Sequence, residues 1–231
     1  MSIVYYRMDL TTIILGIIVI ILIYLLYVFY VQKSSTLVQT ADLKTTNPPI
    51  STLANGSSTR YAYGIWVYVN TWSNGQKIIF QRDGNIKLYL DKTTPTLFVD
   101  MTVGTNSGTT TISTIKVTDN FPVQKWVYVI LSCDNTTIDC YLDGKLVNSV
   151  LLPSFPNAPG NPSSNPMKLG QGFDAYVSGF QSWASPLGPQ EAWDSYMTGN
   201  GTSSISRFFS SYAVSISVAK DNVEQNKYRI F

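Results

Sequence analysis

Two hydrophobic patterns divide this chain. From Leu10 to Val31 the sequence LTTIILGIIVIILIYLLYVFYV runs 22 residues without a charge. At 1.5 Å per residue it makes a helix of about 33 Å, enough to cross a hydrocarbon core of about 30 Å. Past Tyr61 the pattern changes to short apolar runs broken by turn residues. YAYGIWVYV (61–69), KIIFQR (77–82), NIKLYLD (85–91), TLFVDMTV (96–103) and TTISTIKVTD (110–119) read as strands. KWVYVILSCDNTTIDCYLDGKLVNSVLL (125–152) reads as two strands joined by a tight turn, followed by an Asp143-Gly144 turn into a third. In its first strand Trp126, Tyr128 and Ile130 alternate with Val127, Val129 and Leu131, so both faces are apolar. MKLGQGFDAYVSGFQSW (167–183) supplies two more short strands, and PQEAWDSYM (189–197) is a helix started by proline and stopped by Gly199. Many short strands with one helix after them predict an all-β antiparallel sandwich.

The N-terminal run is too long for a cleaved signal peptide, whose apolar core is about 7–15 residues, and no small-residue cleavage pattern follows it. Tyr5 and Tyr6 before the run, and Tyr27, Phe29 and Tyr30 at its end, suit interfacial aromatic belts. A single transmembrane helix is predicted over Leu10–Val31, after an N-terminal flank of residues 1–9, with the lipid bilayer as partner. Arg7 on one side balances Lys33 on the other, so charge leaves the orientation open. Residues 32–60 are rich in Ser and Thr, contain Asn47-Pro48-Pro49 and Asn55-Gly56, and sustain no apolar period. They are expected to be a linker spanning roughly 30 Å as a coil and up to about 95 Å when stretched.

Composition narrows the chemistry. There is no histidine, which removes Ser-His and Cys-His catalysis and every His-ligated metal. A net charge of +2 without a dense basic run gives no nucleic-acid footprint. A glycosidase needs two carboxylates about 5–10 Å apart. The chain has only two glutamates, Glu191 on the short helix and Glu224 in the tail, and Asp139 and Asp143 both abut turns. A non-enzymatic protein without a cofactor or catalytic residues is expected.

The ordered run Lys125-Trp126, a turn with Asp, Tyr141 and then Asp143-Gly144-Lys145 resembles the laminin-G-like, or concanavalin A-like, jelly-roll family. A second anchor agrees: Leu187-Gly188-Pro189-Gln190-Glu191, then Tyr196 and Gly199, resembles the family's closing segment. The resemblance covers about 61–200 and implies a jelly-roll sandwich with Trp126, Tyr141, Asp143, Gly144, Trp183 and Glu191 as motif residues. The tail, 201–231, carries short strand patterns around Val214–Val218 and Lys227–Phe231. It is similar to tails on membrane-anchored concanavalin A-like virion proteins of large icosahedral DNA viruses. That resemblance implies a single-pass minor capsid protein, its helix in an internal membrane and its domain toward capsid proteins.

Lectin-like relatives imply another role, a membrane-anchored carbohydrate-binding surface protein. Trp72 and Asp174 are the candidate glycan contacts, Trp183 is a second stacking ring, and Asp100, Asp119 and Asp134 are further oxygen ligands. No cluster of acids reaches the six to eight oxygens that calcium needs, so no metal site is assigned. If Asn135-Thr136 is a two-residue turn, Cys133 pairs with Ile138 and Cys140 with Leu131, leaving both thiols free and pointing to a reducing compartment; a four-residue turn would set them opposite and permit a disulfide. Sequons at Asn55, Asn135 and Asn200 match the number chance supplies.

Overall fold

The computed structural model describes residues 10–31, 34–53, 58–104, 108–200, 215–220 and 223–229. Two compact units result, Met1–Ser34 and Ser35–Phe231. The first contains helix α1, Leu10–Val31. Its described side chains, 14–24, are all exposed and all apolar but for Gly16, which is the surface of a helix without a protein-facing stripe. Among the residues described in full, no helix is long and apolar enough to cross a membrane. The described side chains cover half of α1, whose sequence carries no charge over its whole length.

The second unit is an antiparallel sandwich. Its strands are β1 (Ser34–Asp42), β2 (Arg60–Val69), β3 (Lys77–Arg82), β4 (Ile86–Leu90), β5 (Leu97–Gly104), β6 (Thr110–Thr118) and β7 (Trp126–Asp134). After them come β8 (Thr137–Leu142), β9 (Lys145–Leu151), β10 (Lys168–Leu169), β11 (Ala175–Trp183), helix α2 (Pro189–Met197), β12 (Ser215–Lys220) and β13 (Val223–Arg229). One sheet runs β1-β11-β2-β7-β8-β9 and faces a second running β10-β3-β4-β5-β6. Among the described residues β12 and β13 pair with each other as a separate two-stranded sheet, β12 over the expected 214–218 pattern and β13 starting before the expected 227–231 one.

Between the two main sheets lies a core of alternating residues, including Ile65 and Val67 of β2, Leu88 of β4, Val99 and Met101 of β5, Val127 and Val129 of β7 and Phe180 of β11. The opposite faces of β2, β7 and β8 are apolar as well, and α2 is the reason. Trp66, Tyr128, Ile130 and Tyr141 form a separate buried cluster with Leu187 and Ala192 on and before α2. A strand apolar on both faces needs cover on both, and the short helix supplies the outer cover.

The turns follow their chemistry. Asp143 (φ 48) and Gly144 (φ 75) both take positive φ between β8 and β9, as a two-residue hairpin turn matching the strand twist requires. Asn135 (φ 56) and Thr136 join β7 to β8, with Leu131 opposite Cys140 and Cys133 opposite Ile138. Both cysteines are buried free thiols, which resolves the two turn alternatives.

The expected linker needs correction. Residues 34–42 are β1, an edge strand of the six-stranded sheet, with the Ser35 and Ser182 hydroxyls 2.8 Å apart and the Ser178 hydroxyl donating to Gln39 O at 2.8 Å. Leu43, Ile50 and Leu53 are buried in the main core, and Ile50 bridges Met167. The domain therefore begins near residue 34, not 61. The segment looked like a tether because an edge strand buries few of its side chains and its Ser and Thr face water.

Candidate functional site

The motif residues are positioned by β7 and β8, by the β8–β9 turn, by the end of β11 and by α2. Asp143 accepts from the Tyr128 N–H at 2.9 Å, donates its own N–H to Tyr128 O at 2.8 Å and faces Lys125 at 3.4 Å. Gly144 lies under the helix, where a Cβ would come within 2.9 Å of Trp193 and 3.1 Å of Tyr196. Tyr141 donates its hydroxyl to Leu187 O at 3.3 Å. Glu191 accepts from the Gly188 N–H at 2.9 Å, capping the first turn of α2. Trp183 packs beside this cluster and Trp126 leans on Tyr68, ring centroids 5.5 Å apart. These six residues pack or hydrogen-bond within the framework of the sheet and α2.

The glycan candidates come together at one rim. Asp174 accepts from the Thr71 hydroxyl at 2.6 Å and from Asn70 Nδ2 at 2.9 Å, and pairs with Lys44 at 2.9 Å. The Thr71 hydrogen bond, then Lys44, holds the Asp174 carboxyl below its ordinary range. Trp72, next in the chain, is half-buried against the core, and Lys77 Nζ sits 4.2 Å from its ring centroid. Lys77 is itself fully buried and donates to the carbonyls of Gly75, Asp91 and Lys92 at 3.2, 3.1 and 2.8 Å. Burial lowers its pKa. Both candidates already have partners within the fold: a cation covers the Trp72 face, and hydroxyl, amide and ammonium groups hold Asp174.

The other aspartates are similarly engaged. Asp119 pairs with Lys116 at 3.4 Å and Asp134 with Arg60 at 2.8 Å. Asp100 lies on the outer face of the five-stranded sheet, paired with Lys87 at 2.8 Å and accepting from Thr114 at 2.7 Å and Tyr89 at 3.1 Å. Tyr89 stacks on Phe98 beside it, centroids 5.7 Å apart. A small cleft of about 140 Å³ borders Asp100, lined also by Gln81, Arg82, Lys87, Thr102 and Ile112. Sequence reasoning missed this grouping because its members come from β3, β4, β5 and β6; the alternation of polar residues with core residues in IKLYL and LFVDMTV was its one signal. Asn55 and Glu224 fall outside the side chains described. Among the described residues, no group of three or more His, Cys, Asp or Glu side chains comes together as a metal site.

Burial pushes the Cys133 and Cys140 thiols up to about 12, and the Tyr128 hydroxyl likewise to about 12. Below the unfolded thiol value of 9.0 their contribution is fully present. As pH rises from 9.0 toward 12 the unfolded chain releases protons that the folded chain retains, so stability falls across that window. Urea unfolding followed across it should show the midpoint dropping, and iodoacetamide should label neither thiol at pH 8 until urea is added.

A sandwich of two antiparallel sheets, closed by a short helix over one outer face and with acids and aromatics engaged internally, defines the class of jelly-roll domains. The family model of the concanavalin A-like lectin/glucanases superfamily matches residues 39–193, and the chain belongs to that family. Its match begins inside β1, in keeping with the corrected domain start. No curated protein sequence matches the chain. Among solved structures it is similar to the receptor-binding domain of botulinum neurotoxin D, with TM-score 0.52, 10% identity, and coverage of 71% of this chain and 47% of that one. It is also similar to the botulinum neurotoxin serotype D ligand-binding domain in complex with N-acetylneuraminic acid, with TM-score 0.50, 10% identity and coverage of 71% and 45%. The chain thus spans less than half the length of these structures, and the likeness is one of fold.

Proposed function

We propose that this chain is a non-enzymatic, membrane-anchored structural protein, with α1 crossing a bilayer and the sandwich docking on a neighbouring protein layer. The observation carrying this reading is that the two glycan candidates, Asp174 and Trp72, and likewise Asp100, Asp143 and Glu191, are each engaged by groups within the fold. The 22-residue uncharged helix supports the anchor, since lipid accepts a backbone whose hydrogen bonds are all internal. Resemblance of the tail to those of large icosahedral DNA viruses supports a minor capsid or virion membrane protein. There α1 lies in the internal membrane, and capsid proteins are the partners of the domain. Buried free thiols fit a domain facing a reducing compartment.

The test is insertion of the full-length chain into microsomal membranes, with an engineered N-terminal sequon as control. Asn135 lies exposed at the tip of the β7–β8 hairpin, open to a glycosyltransferase. The reading expects the control alone to be glycosylated. Occupancy of Asn135 or Asn200 overturns it and favours a surface carbohydrate-binding protein. That second reading draws on the family's lectins and on the closeness of Trp72 and Asp174 at one rim. It expects saturable glycan binding that is lost in Trp72→Ala and Asp174→Asn. Absence of the chain from purified virions of its source would overturn the virion placement separately.

A further inference from the structure

Asn-Gly pairs occur in the chain at 55–56, 74–75 and 200–201, and Asn74-Gly75 is the pair whose two residues are both described. Glycine carries no Cβ, so its backbone nitrogen is open to approach by the preceding side chain. The pair stands in the connection from β2 to β3, NTWSNGQ (70–76), which contains no charged residue. Asn74 is exposed, and a Cβ added at Gly75 would meet nothing within 4 Å. Among the described residues, no hydrogen bond holds the Asn74 carboxamide or the Gly75 N–H.

Comparable groups elsewhere are held by the fold. Asn70 donates Nδ2 to Asp174 at 2.9 Å, and Asn148, which precedes Ser149, donates Nδ2 to Lys116 O at 2.8 Å. The two Asp-Gly pairs sit in turns. Asp143 accepts from the Tyr128 N–H at 2.9 Å and Asp83 pairs with Lys168 at 2.6 Å, while Gly144 and Gly84 are fixed at φ 75 and 63. At Asn74 the side chain and the following backbone nitrogen are both free to meet.

We propose that Asn74-Gly75 is a site of spontaneous covalent modification, at which asparagine becomes aspartate and isoaspartate. The Gly75 nitrogen gives up its proton to hydroxide and attacks Asn74 Cγ. The new C–N bond closes a succinimide ring, and the carboxamide nitrogen leaves as ammonia. Water then opens the ring. Breaking the bond from nitrogen to Cγ gives aspartate; breaking the bond from nitrogen to the main-chain carbonyl carbon gives isoaspartate, in which the backbone runs through the side chain. Water is the one reagent consumed, and no oxidant or cofactor is needed. Either product puts a carboxylate on an uncharged loop. The isoaspartyl form also lengthens the backbone just before Gly75, whose carbonyl accepts from Lys77 at 3.2 Å while Lys77 covers the Trp72 ring. The modification therefore falls on the loop that seats Lys77, and it does not depend on the membrane reading.

The test ages the full-length chain in detergent micelles, warm and at mildly alkaline pH, and follows its peptides by mass spectrometry; asparagine is among the thermolabile residues. The peptide carrying Asn74 should gain the mass of an NH-to-O exchange and separate into aspartate and isoaspartate forms. Asn148 should convert several-fold more slowly. A synthetic peptide of residues 70–79, aged in parallel, gives the rate in the absence of any fold, and the folded chain should come within a few-fold of it. Gly75→Ala places a methyl group in open space, so it should slow the conversion several-fold while keeping the folded circular dichroism signal. Asn74 remaining intact in the folded chain while the peptide converts, a product without isoaspartate, or a rate indifferent to Gly75→Ala would each overturn the assignment.

Discussion

Gly170→Ala should abolish the folded sandwich. A Cβ at this position would fall inside the carbonyl oxygen of Ile78 and 2.6 Å from its carbonyl carbon. Neither group can yield. Gly170 donates its N–H to Ile79 O at 2.9 Å, which fixes it against β3, and Ile78 stands opposite Tyr89 in the β3–β4 ladder. Overpacking a core with flexible side chains costs about 1–3 kcal/mol. Here both surfaces are backbone, and a loss above about 4 kcal/mol is expected, close to the whole stability of many domains. Gly75→Ala is the matched control, because a Cβ there meets nothing within 4 Å. Circular dichroism with urea titration should show a near-unchanged midpoint for Gly75→Ala and no cooperative transition for Gly170→Ala. A Gly170→Ala midpoint within about 1 kcal/mol of the parent would refute this account of the β3–β10 approach.

Arg82→Ala should release the long connection 153–166. This segment has five prolines and runs from β9 to β10 without regular structure. Backbone bonds from β5 hold its first half, at Phe155 to Asn157, and side chains from the end of β3 and the β3–β4 turn reach across it. Arg82, 2% exposed, donates Nε to Asn165 O and Nη2 to Gly160 O, each at 2.9 Å. Asn85 donates Nδ2 to Asn157 O at 2.6 Å and to the Tyr61 hydroxyl at 3.0 Å. A charged hydrogen bond contributes about 1.5–3 kcal/mol, and losing two while the loop regains some water bonds should cost about 3 kcal/mol. Arg82→Lys keeps the charge but loses the two-armed donor geometry, so it should recover only part of that loss. Limited thermolysin digestion should cut the alanine variant within 153–166 well before the parent. Equal cleavage of the two would show that the prolines, the Asn85 bond and the backbone bonds to β5 hold the loop without Arg82.

Much of the central block is legible because its signals are local. Asp143-Gly144 calls for positive φ at both positions, the apolar alternation of WVYVILSC states burial on two sides, and Pro189 with Glu191 starts a helix. Each requirement is met within a few residues of where it is written. β1 escaped for the opposite reason. SSTLVQTAD has few apolar residues because an edge strand needs few, and its partners Ser178 and Ser182 lie some 140 residues away. The rim is a similar case: nothing near Trp72 in the chain announces that Lys77 will cover its ring from a cage of carbonyls. Likewise nothing near Asp174 announces that Thr71, over a hundred residues earlier, will donate to it.

The sequence by itself determined the period of the strands from β2 to β9, the sharpest turns, the uncharged helix and the absence of histidine chemistry, since these depend on residue type and near-neighbour spacing. Only the tertiary structure decided that residues 34–53 belong to the fold, that Asp174 and Trp72 are already engaged, and that α2 covers the outer face of β2, β7 and β8. Those outcomes depend on which strands become neighbours. Pairing order is set by the burial of whole sheet faces against one another, a property that no single stretch of the chain contains.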